Sequence, residues 1–355
     1  MWQKMSGQEM DIRAARLVDL PLIARLIERT TLLDSELAYT REANIPQNLL
    51  LERFPLSGRE LYTLIGRDAR QPIIGQFRLR GETPIARAVY LAPSLDEASE
   101  GGDTAYLHLL DGMTAEAGRR GAHALTAEVD EFSRLFVTMR TAGFAVYARQ
   151  QIWVRTPDKT TPAHIVPAAL MEARDEDSLD IQSLYCNIVP KLVQPVGAPP
   201  MDTGYVYRQP DQRQINGQKA RVGKARIGLQ GYIAVSEGKS GIYMMPLLHP
   251  DILFEEASSI LAGAIARVRH ADRLPLYICV RRYQDWLEET LIDLGFEPGK
   301  QQAVMVRHIA VGVRQAMFAA PVRHALEAGM PAPIIPPTSR LHELESNRIT
   351  DRREV

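Results

Sequence analysis

The sequence predicts an α+β protein with two copies of one domain, each a mixed, mostly antiparallel sheet with flanking helices. Three observations predict this fold class. The motif Ala-Arg-x-x-Asp-x-x-x-Ile-x-x-Leu begins at Ala15 and recurs 158 residues later, at Ala173. A second repeated motif, Gly-Phe, lies near the end of each copy, at residues 143–144 and 295–296. Strand-like and helix-like segments also follow the same order in both copies, as expected for a duplicated domain.

The composition is that of a soluble globular protein, with 45% hydrophobic and 24% charged residues in a chain of 355. Lys and Arg (42) nearly balance Asp and Glu (43), which gives no reason to expect nucleic acid or an anionic membrane as a partner. Cys186 and Cys279 form no metal or redox motif, and we predict no metal site. No segment reads as a membrane span or signal peptide, so we expect a cytoplasmic protein.

The chain is predicted to divide into four segments: domain 1 at residues 1–155, a linker at 156–164, domain 2 at 165–314 and a C-terminal tail at 315–355. The linker contains two prolines, which favour an extended connection. The tail contains a Pro-rich run and a charged end, which predict a flexible segment.

In the first copy, a strand at 12–15 leads to a helix that Asp19 is predicted to cap. Residues 30–58 are mixed and are predicted as helix and loop. The remaining elements follow in chain order: strands at 61–66, 73–79 and 86–92, a helix with apolar positions from Leu107 to Ala117, a strand at 123–129, a helix that Ser133 is predicted to cap and that ends at Gly143, and an extended segment at 144–155.

The second copy repeats this order, and Asp177 is again the predicted helix cap. Its elements are a strand at 170–173, a helix through Tyr185, hairpin strands at 226–235 and 241–248, a helix at 252–269, a strand at 274–280, and a helix at 284–294 that Gly295 ends.

This order of elements, with both motifs, resembles the GNAT acyltransferase superfamily over residues 11–155 and 168–311. The resemblance implies two splayed strands that hold acetyl-CoA or another acyl-CoA between them, and a small-molecule or peptide amine as substrate. The strand along the pantetheine would end at Val89–Ala92 in the first copy and at Met245–His249 in the second. The residues implied for cofactor binding are Leu91, Ala92, Gly101, Gly102, Thr104 and Leu248.

Both copies depart from the family's pattern where the cofactor and the acid would act. The family places the pyrophosphate on a Gly-rich loop with Gln or Arg at a helix start. Here the loops at 96–104 and 249–256 are acidic. The usual general acid, a Tyr four residues before Gly-Phe, is replaced by Met139 and Leu291. We expect an N-acyltransferase homologue, with any activity in domain 1, because Gly101 and Gly102 permit a turn that contacts phosphate.

Three residues are candidates for catalysis. Glu128 and Asp130, at the end of a strand in the first copy, could supply a general base, or could form a solvated strand end. Tyr283 could donate the proton that the missing Tyr would supply, or could pack beside Trp286. The competing function is a non-catalytic two-lobed module that binds a small molecule or protein between the copies. We expect a monomer or homodimer, without a nucleic-acid or membrane partner.

Overall fold

The computed structural model describes residues 11–41, 59–67, 72–80, 83–97, 102–197, 203–208 and 228–309. All of them belong to one compact unit, Met1–Val311. The predicted C-terminal tail lies outside the described residues. Within the described ranges, no helix combines the length and apolar character needed to cross a membrane.

Each copy contributes strands and helices in the predicted order. The elements of the first copy are β1 Asp11–Ala14, α1 Leu20–Ile27, β2 Thr31–Leu32, α2 Ser35–Thr40, β3 Arg59–Arg67, β4 Pro72–Arg80, β5 Ile85–Ala92, α3 Asp103–Arg119, β6 Ala124–Asp130, α4 Arg134–Thr141 and β7 Ala145–Arg155. Those of the second are β8 Met171–Glu172, α5 Ser178–Ile188, β9 Gly204–Tyr207, β10 Gly231–Glu237, β11 Ile242–Leu248, α6 Phe254–Arg267, β12 Leu276–Arg281, α7 Glu288–Asp293 and β13 Glu297–His308.

The described strands form one continuous sheet that runs through both copies. Its order is β1-β3-β4-β5-β6-β13-β7-β12-β11-β10-β9-β8, with β2 paired to β5. The pairs β5–β6 and β11–β12 are parallel, and the other described pairs are antiparallel. The predicted fold class, a mixed and mostly antiparallel sheet with flanking helices, is confirmed.

The last strand of each copy pairs with the other copy. Strand β13 lies between β6 and β7, and β7 lies between β13 and β12. Gln302 is the register partner of Asp130, and Gln150 is the register partner of Arg281. Since Gln150 and Gln302 occupy equivalent positions in the repeat, these two pairings are related by an approximate two-fold axis through the centre of the sheet.

The hydrophobic cores follow this strand exchange. Ala303 and Met305 of β13 are buried in the core of the first copy, with Leu125 of β6. Trp153 of β7 is buried in the core of the second copy, with Ile278 of β12. Each core is therefore completed by a strand of the other copy.

The Asp of the repeated motif does not cap its helix, which corrects the prediction for Asp19 and Asp177. Asp19 precedes α1, but its carboxylate accepts the Arg16 backbone N–H (2.8 Å), and no side-chain cap bond forms. Asp177 likewise accepts the Arg174 backbone N–H at 2.9 Å. In both copies the motif thus closes the turn that leads from the first strand into the helix.

The Gly-Phe echo marks a helix end that requires glycine. Gly143 has φ of +84° and Gly295 has φ of +80°, a left-handed conformation that other residues adopt at a cost. At the other end of α4, the Ser133 hydroxyl accepts the Phe136 N–H at 3.2 Å, which confirms its predicted capping role.

Candidate functional site

Each copy contains a parallel strand pair that is hydrogen-bonded at one end only. Strand β5 pairs with β6 through residues 85–87, although β5 continues to Ala92. Strand β11 pairs with β12 through residues 242–244, although β11 continues to Leu248. Beyond these registers the strands separate, and the backbone facing the gap needs other hydrogen-bond partners.

The gap of the first copy is filled by the chain itself. Thr31 of β2 pairs with Leu91 of β5. The Leu33 N–H donates to the Val89 carbonyl, and the Leu33 carbonyl accepts the Glu128 N–H, both at 2.9 Å. Leu33 therefore bridges the two separated strands, and its side chain is 1% exposed in the core. The strand edge that the resemblance assigns to pantetheine is occupied here.

The gap of the second copy opens onto a cavity of about 110 Å³ that residues of both copies line. From the second copy, Met245, Pro246 and Leu247 of β11 line it on one side, and Arg281 and Tyr283 line it at the end of β12. The first copy contributes Leu33, Glu128, Tyr147 and Ala148, and Val304 of β13 completes the wall. We call this space the shared cavity.

The shared cavity contains a loose ion pair between the copies. Arg281 Nη2 lies 3.7 Å from Glu128 Oε1, and each side chain is 17% exposed. The Ser35 backbone N–H donates to Glu128 Oε2 at 2.9 Å, which fixes that carboxylate. Burial alone would lower the pKa of Arg281, but Cys279 and Glu128 raise it above its ordinary value, so the guanidinium stays charged.

Three tyrosines that line the cavity keep their protons at neutral pH. Burial raises the pKa of Tyr147, Tyr185 and Tyr283. The Tyr147 hydroxyl donates to the Val193 carbonyl, and the Tyr185 hydroxyl donates to the Gly197 carbonyl. The Tyr283 hydroxyl forms no hydrogen bond to another described residue, so it remains a donor for a molecule in the cavity.

Helix α2 of the first copy is held against the second copy beside this cavity. Asp34 accepts the Leu37 N–H at 3.2 Å and forms an ion pair with Arg78 at 2.5 Å, with both ionic side chains 5% exposed. Glu36 accepts the Ser236 hydroxyl of β10 at 2.7 Å. These contacts fix the start of α2, and with it the Ser35 N–H that positions Glu128.

Two of the three predicted catalytic residues line the same cavity, although they belong to different copies. Glu128 and Tyr283 both face it. Asp130 is not among the lining residues, because its carboxylate accepts the Phe132 N–H (2.9 Å) in the turn after β6. Among the predicted cofactor residues, Leu248 is buried in the second core, and its carbonyl accepts the Gln284 side-chain amide at 3.2 Å.

The helix starts do not fit the diphosphate of acyl-CoA. Gly102 precedes α3, whose first residue, Asp103, pairs with Arg134 at 2.9 Å. The predicted cofactor residue Thr104 is exposed, Ala92 is buried, and Gly101 lies outside the described residues. The first turn of α6 carries two more carboxylates, Glu255 and Glu256. Acidic side chains already satisfy the positive end of each helix dipole and repel a further anion.

Sequence reasoning missed Arg281 and Leu33. The sequence does carry one signal for Arg281, since it occupies the repeat position that Asp130 occupies in the first copy. A reversal of charge at equivalent positions indicates that the two strand ends have diverged in role. No motif marks Leu33, because its function depends on backbone groups that any residue possesses.

No family model matches the sequence, and no curated protein matches it. Solved structures are similar over most of the chain. A tandem GNAT protein from the clavulanic acid biosynthesis pathway is 16% identical, with a TM-score of 0.47 and coverage of 85% of this chain and 99% of that one. A GCN5-related N-acetyltransferase from Sphaerobacter thermophilus is 11% identical, with a TM-score of 0.49 and coverage of 85% and 96%.

A putative acetyltransferase from Pyrococcus horikoshii is 14% identical, with a TM-score of 0.44 and coverage of 87% and 92%. The predicted resemblance to the GNAT fold is confirmed. The strand order and the two splayed parallel pairs described above carry this assignment. Identities this low concern the fold and not the activity.

Proposed function

We propose that this protein is a tandem acyltransferase homologue whose ligand site is the shared cavity, where it binds a small amine-bearing molecule. One observation carries the proposal. Leu33 closes the gap of the first copy, whereas the gap of the second copy opens onto a cavity that collects Glu128 and Tyr283 from different copies. This arrangement favours one composite site over two separate ones, and it argues against the first copy as an acyl-CoA site.

The chemistry of Glu128 favours an amine. Ser35 holds Oε2, while Oε1 lies too far from Arg281 for a hydrogen bond, so Oε1 can accept one from a ligand. A carboxylate forms its strongest hydrogen bonds with cationic donors. Met245, Leu247 and Val304 line the same space with apolar surface, which lowers the local dielectric constant and strengthens that attraction. A cavity of about 110 Å³ admits a small molecule or one end of a larger one.

Isothermal titration with propylamine and with propanol, which has a similar size but no charge, tests the proposal. We expect propylamine to bind more tightly than propanol. Glu128→Gln is expected to lower the affinity for propylamine by about tenfold, the loss expected for one charge-assisted hydrogen bond. Glu131→Gln is the matched control, because Glu131 pairs with Arg149 outside the cavity. Equal affinity of Glu128→Gln and the unmodified protein for propylamine would contradict the proposal.

Acyl transfer to the bound amine is the second candidate function, and the open gap between β11 and β12 favours it. Acyl-CoA, when bound, supplies an acyl thioester. Beyond Met244, β11 has no partner on its β12 side among the described strands, as the resemblance requires for the pantetheine arm, whereas the acidic start of α6 does not fit the diphosphate.

Titration with acetyl-CoA separates the two candidates. Saturable heat, together with release of free thiol in the presence of an amine, would support transfer. No heat and no thermal shift at millimolar acetyl-CoA would exclude transfer and leave amine binding. The predicted cytoplasmic location belongs to the same proposal, and cell fractionation checks it.

A further inference from the structure

Arg281 is the charged group of the shared cavity whose side chain forms no hydrogen bond to another described residue. A guanidinium carries five N–H donors. The only charge partner of Arg281 among the described residues is Glu128, at 3.7 Å, beyond hydrogen-bond distance, and no other described residue accepts a hydrogen bond from it. A largely buried donor group without acceptors is costly. The planar fork of an arginine matches a carboxylate.

Glu128, which faces Arg281, also has an oxygen atom that accepts no hydrogen bond from a described residue. Its Oε2 accepts the Ser35 N–H, and its Oε1 is the atom that lies 3.7 Å from Arg281. A cation and an anion with unfilled hydrogen-bonding capacity therefore stand side by side. A ligand that pairs with both charges would present an anionic acceptor and a cationic donor close together.

The other charged groups that line the cavity do not compete for these roles. Asp34 is paired with Arg78, and Glu36 accepts the Ser236 hydroxyl. Arg87 also lines the cavity but is exposed, so solvent can satisfy its donors.

We propose that the shared cavity binds an α-amino acid as its zwitterion, with the carboxylate on Arg281 and the ammonium group on Glu128. An α-amino acid carries both groups on one carbon, as the short separation of Arg281 and Glu128 requires. The apolar walls at Met245, Leu247 and Val304 favour a small aliphatic side chain. This inference rests on the proposed function, because it keeps the amine on Glu128 and adds the carboxylate.

The test uses the full chain and three probes: L-valine, L-valine methyl ester, which lacks the carboxylate, and N-acetyl-L-valine, which lacks the ammonium group. Isothermal titration is expected to show that L-valine binds about tenfold or more tightly than either derivative, as expected for loss of one charge-assisted contact. This comparison is made on the unmodified protein and does not depend on a variant that folds poorly.

Two variants assign the contacts. Arg281→Gln is expected to remove the preference for L-valine over its methyl ester, and Glu128→Gln to remove the preference over N-acetyl-L-valine. General destabilisation would not produce this crossed pattern. Arg149→Gln and Glu131→Gln are matched controls, because these residues form an ion pair of 2.6 Å outside the cavity. Both controls are expected to retain both preferences.

The outcomes separate this inference from the proposed function. If the methyl ester binds as tightly as L-valine and Arg281→Gln changes nothing, the amino-acid inference is overturned while amine binding stands. If none of the three probes and no simple amine produces heat or a thermal shift, both are overturned.

Discussion

The side-chain amide of Gln150 donates to Gln302 Oε1 at 2.8 Å, and the two residues are separated by 152 positions, the spacing of the repeat. They are also register partners in the β7–β13 pair. Equivalent residues thus meet at the approximate two-fold axis, but their other partners differ. Gln302 also accepts the Ser35 hydroxyl at 2.8 Å, whereas Gln150 accepts the Cys279 thiol at 3.3 Å.

This buried polar contact predicts non-additive stability. Gln302→Met, which nearly preserves the volume, is expected to lower the free energy of unfolding by about 2–4 kcal/mol, because it leaves the Gln150 amide and the Ser35 hydroxyl without an acceptor. The double variant with Gln150→Met is expected to cost less than the sum of the single costs. Urea unfolding of all four proteins measures the cycle, and additive costs would contradict a direct contact.

The strand exchange predicts that a substitution in one copy loosens the other. Met305→Ala is expected to cost about 3 kcal/mol, since Met305 is fully buried. Hydrogen exchange is expected to accelerate in α3 and β6 of the first copy, whose core contains Met305. Trp153→Ala, at the equivalent position of the first copy, is the matched control and is expected to affect α6 and β12. If hydrogen exchange accelerated only in the copy that carries the substitution, the pairing of β7 and β13 with the opposite copy would be refuted.

The lowered pKa of the Asp177 carboxyl group predicts a contribution to the free energy of unfolding that disappears in acid. Burial alone would raise the pKa of Asp177, but the Arg174 N–H and the Arg208 guanidinium outweigh it and hold the pKa below its ordinary value. A lowered carboxyl pKa stabilises the fold above the unfolded-state pKa of about 3.9, and this stability is lost as the pH falls through the folded-state pKa.

Asp177→Ala is therefore expected to lower the free energy of unfolding by about 1–2 kcal/mol at pH 7. The difference from the unmodified protein should shrink as the pH falls below about 4. Asp177→Asn is the control, since its amide oxygen can still accept the Arg174 N–H. Denaturant unfolding from pH 7 to pH 2.5 gives the comparison, and a constant difference over that range would contradict the assignment.

The two cysteines are expected to differ in reactivity. Burial raises the pKa of the Cys279 thiol to about 11, and this side chain is fully buried, whereas Cys186 is exposed. The thiolate is the reactive form. Iodoacetamide at pH 8 should therefore label Cys186 in the native protein and reach Cys279 only after unfolding. Mass spectrometry of the labelled peptides checks this, and rapid native labelling of Cys279 would contradict its burial between β12 and β7.

The features predicted from the sequence are those that local chemistry determines. The positive φ of Gly143 and Gly295 requires glycine, and Ser133 caps its helix through a bond within four residues. The predicted capping by Asp19 and Asp177 was wrong because each carboxylate bonds back to the preceding turn. Helix α2 has only six residues, too few for a periodic apolar pattern to show.

The strand exchange could not be predicted, because pairing partners are non-local. Strand β13 carries the same buried positions whether it lies beside its own copy or the other one. The candidate site likewise combines features that depend on local sequence with features that depend on non-local pairing. Glu128 and Tyr283 were found as polar residues near strand ends, but their common cavity depends on the exchange. The domain boundaries drawn from the repeat remain a prediction, since the sheet crosses from one copy to the other.

The exchanged strands also determine the timing of folding during synthesis. The first copy leaves the ribosome with the positions of Ala303 and Met305 in its core still empty. Those residues emerge about 150 positions after β7, a delay of roughly 8–30 s at ordinary elongation rates. Throughout that interval β13 cannot yet cover the β6 edge of the nascent first copy, and an uncovered strand edge favours pairing with other chains until β13 emerges.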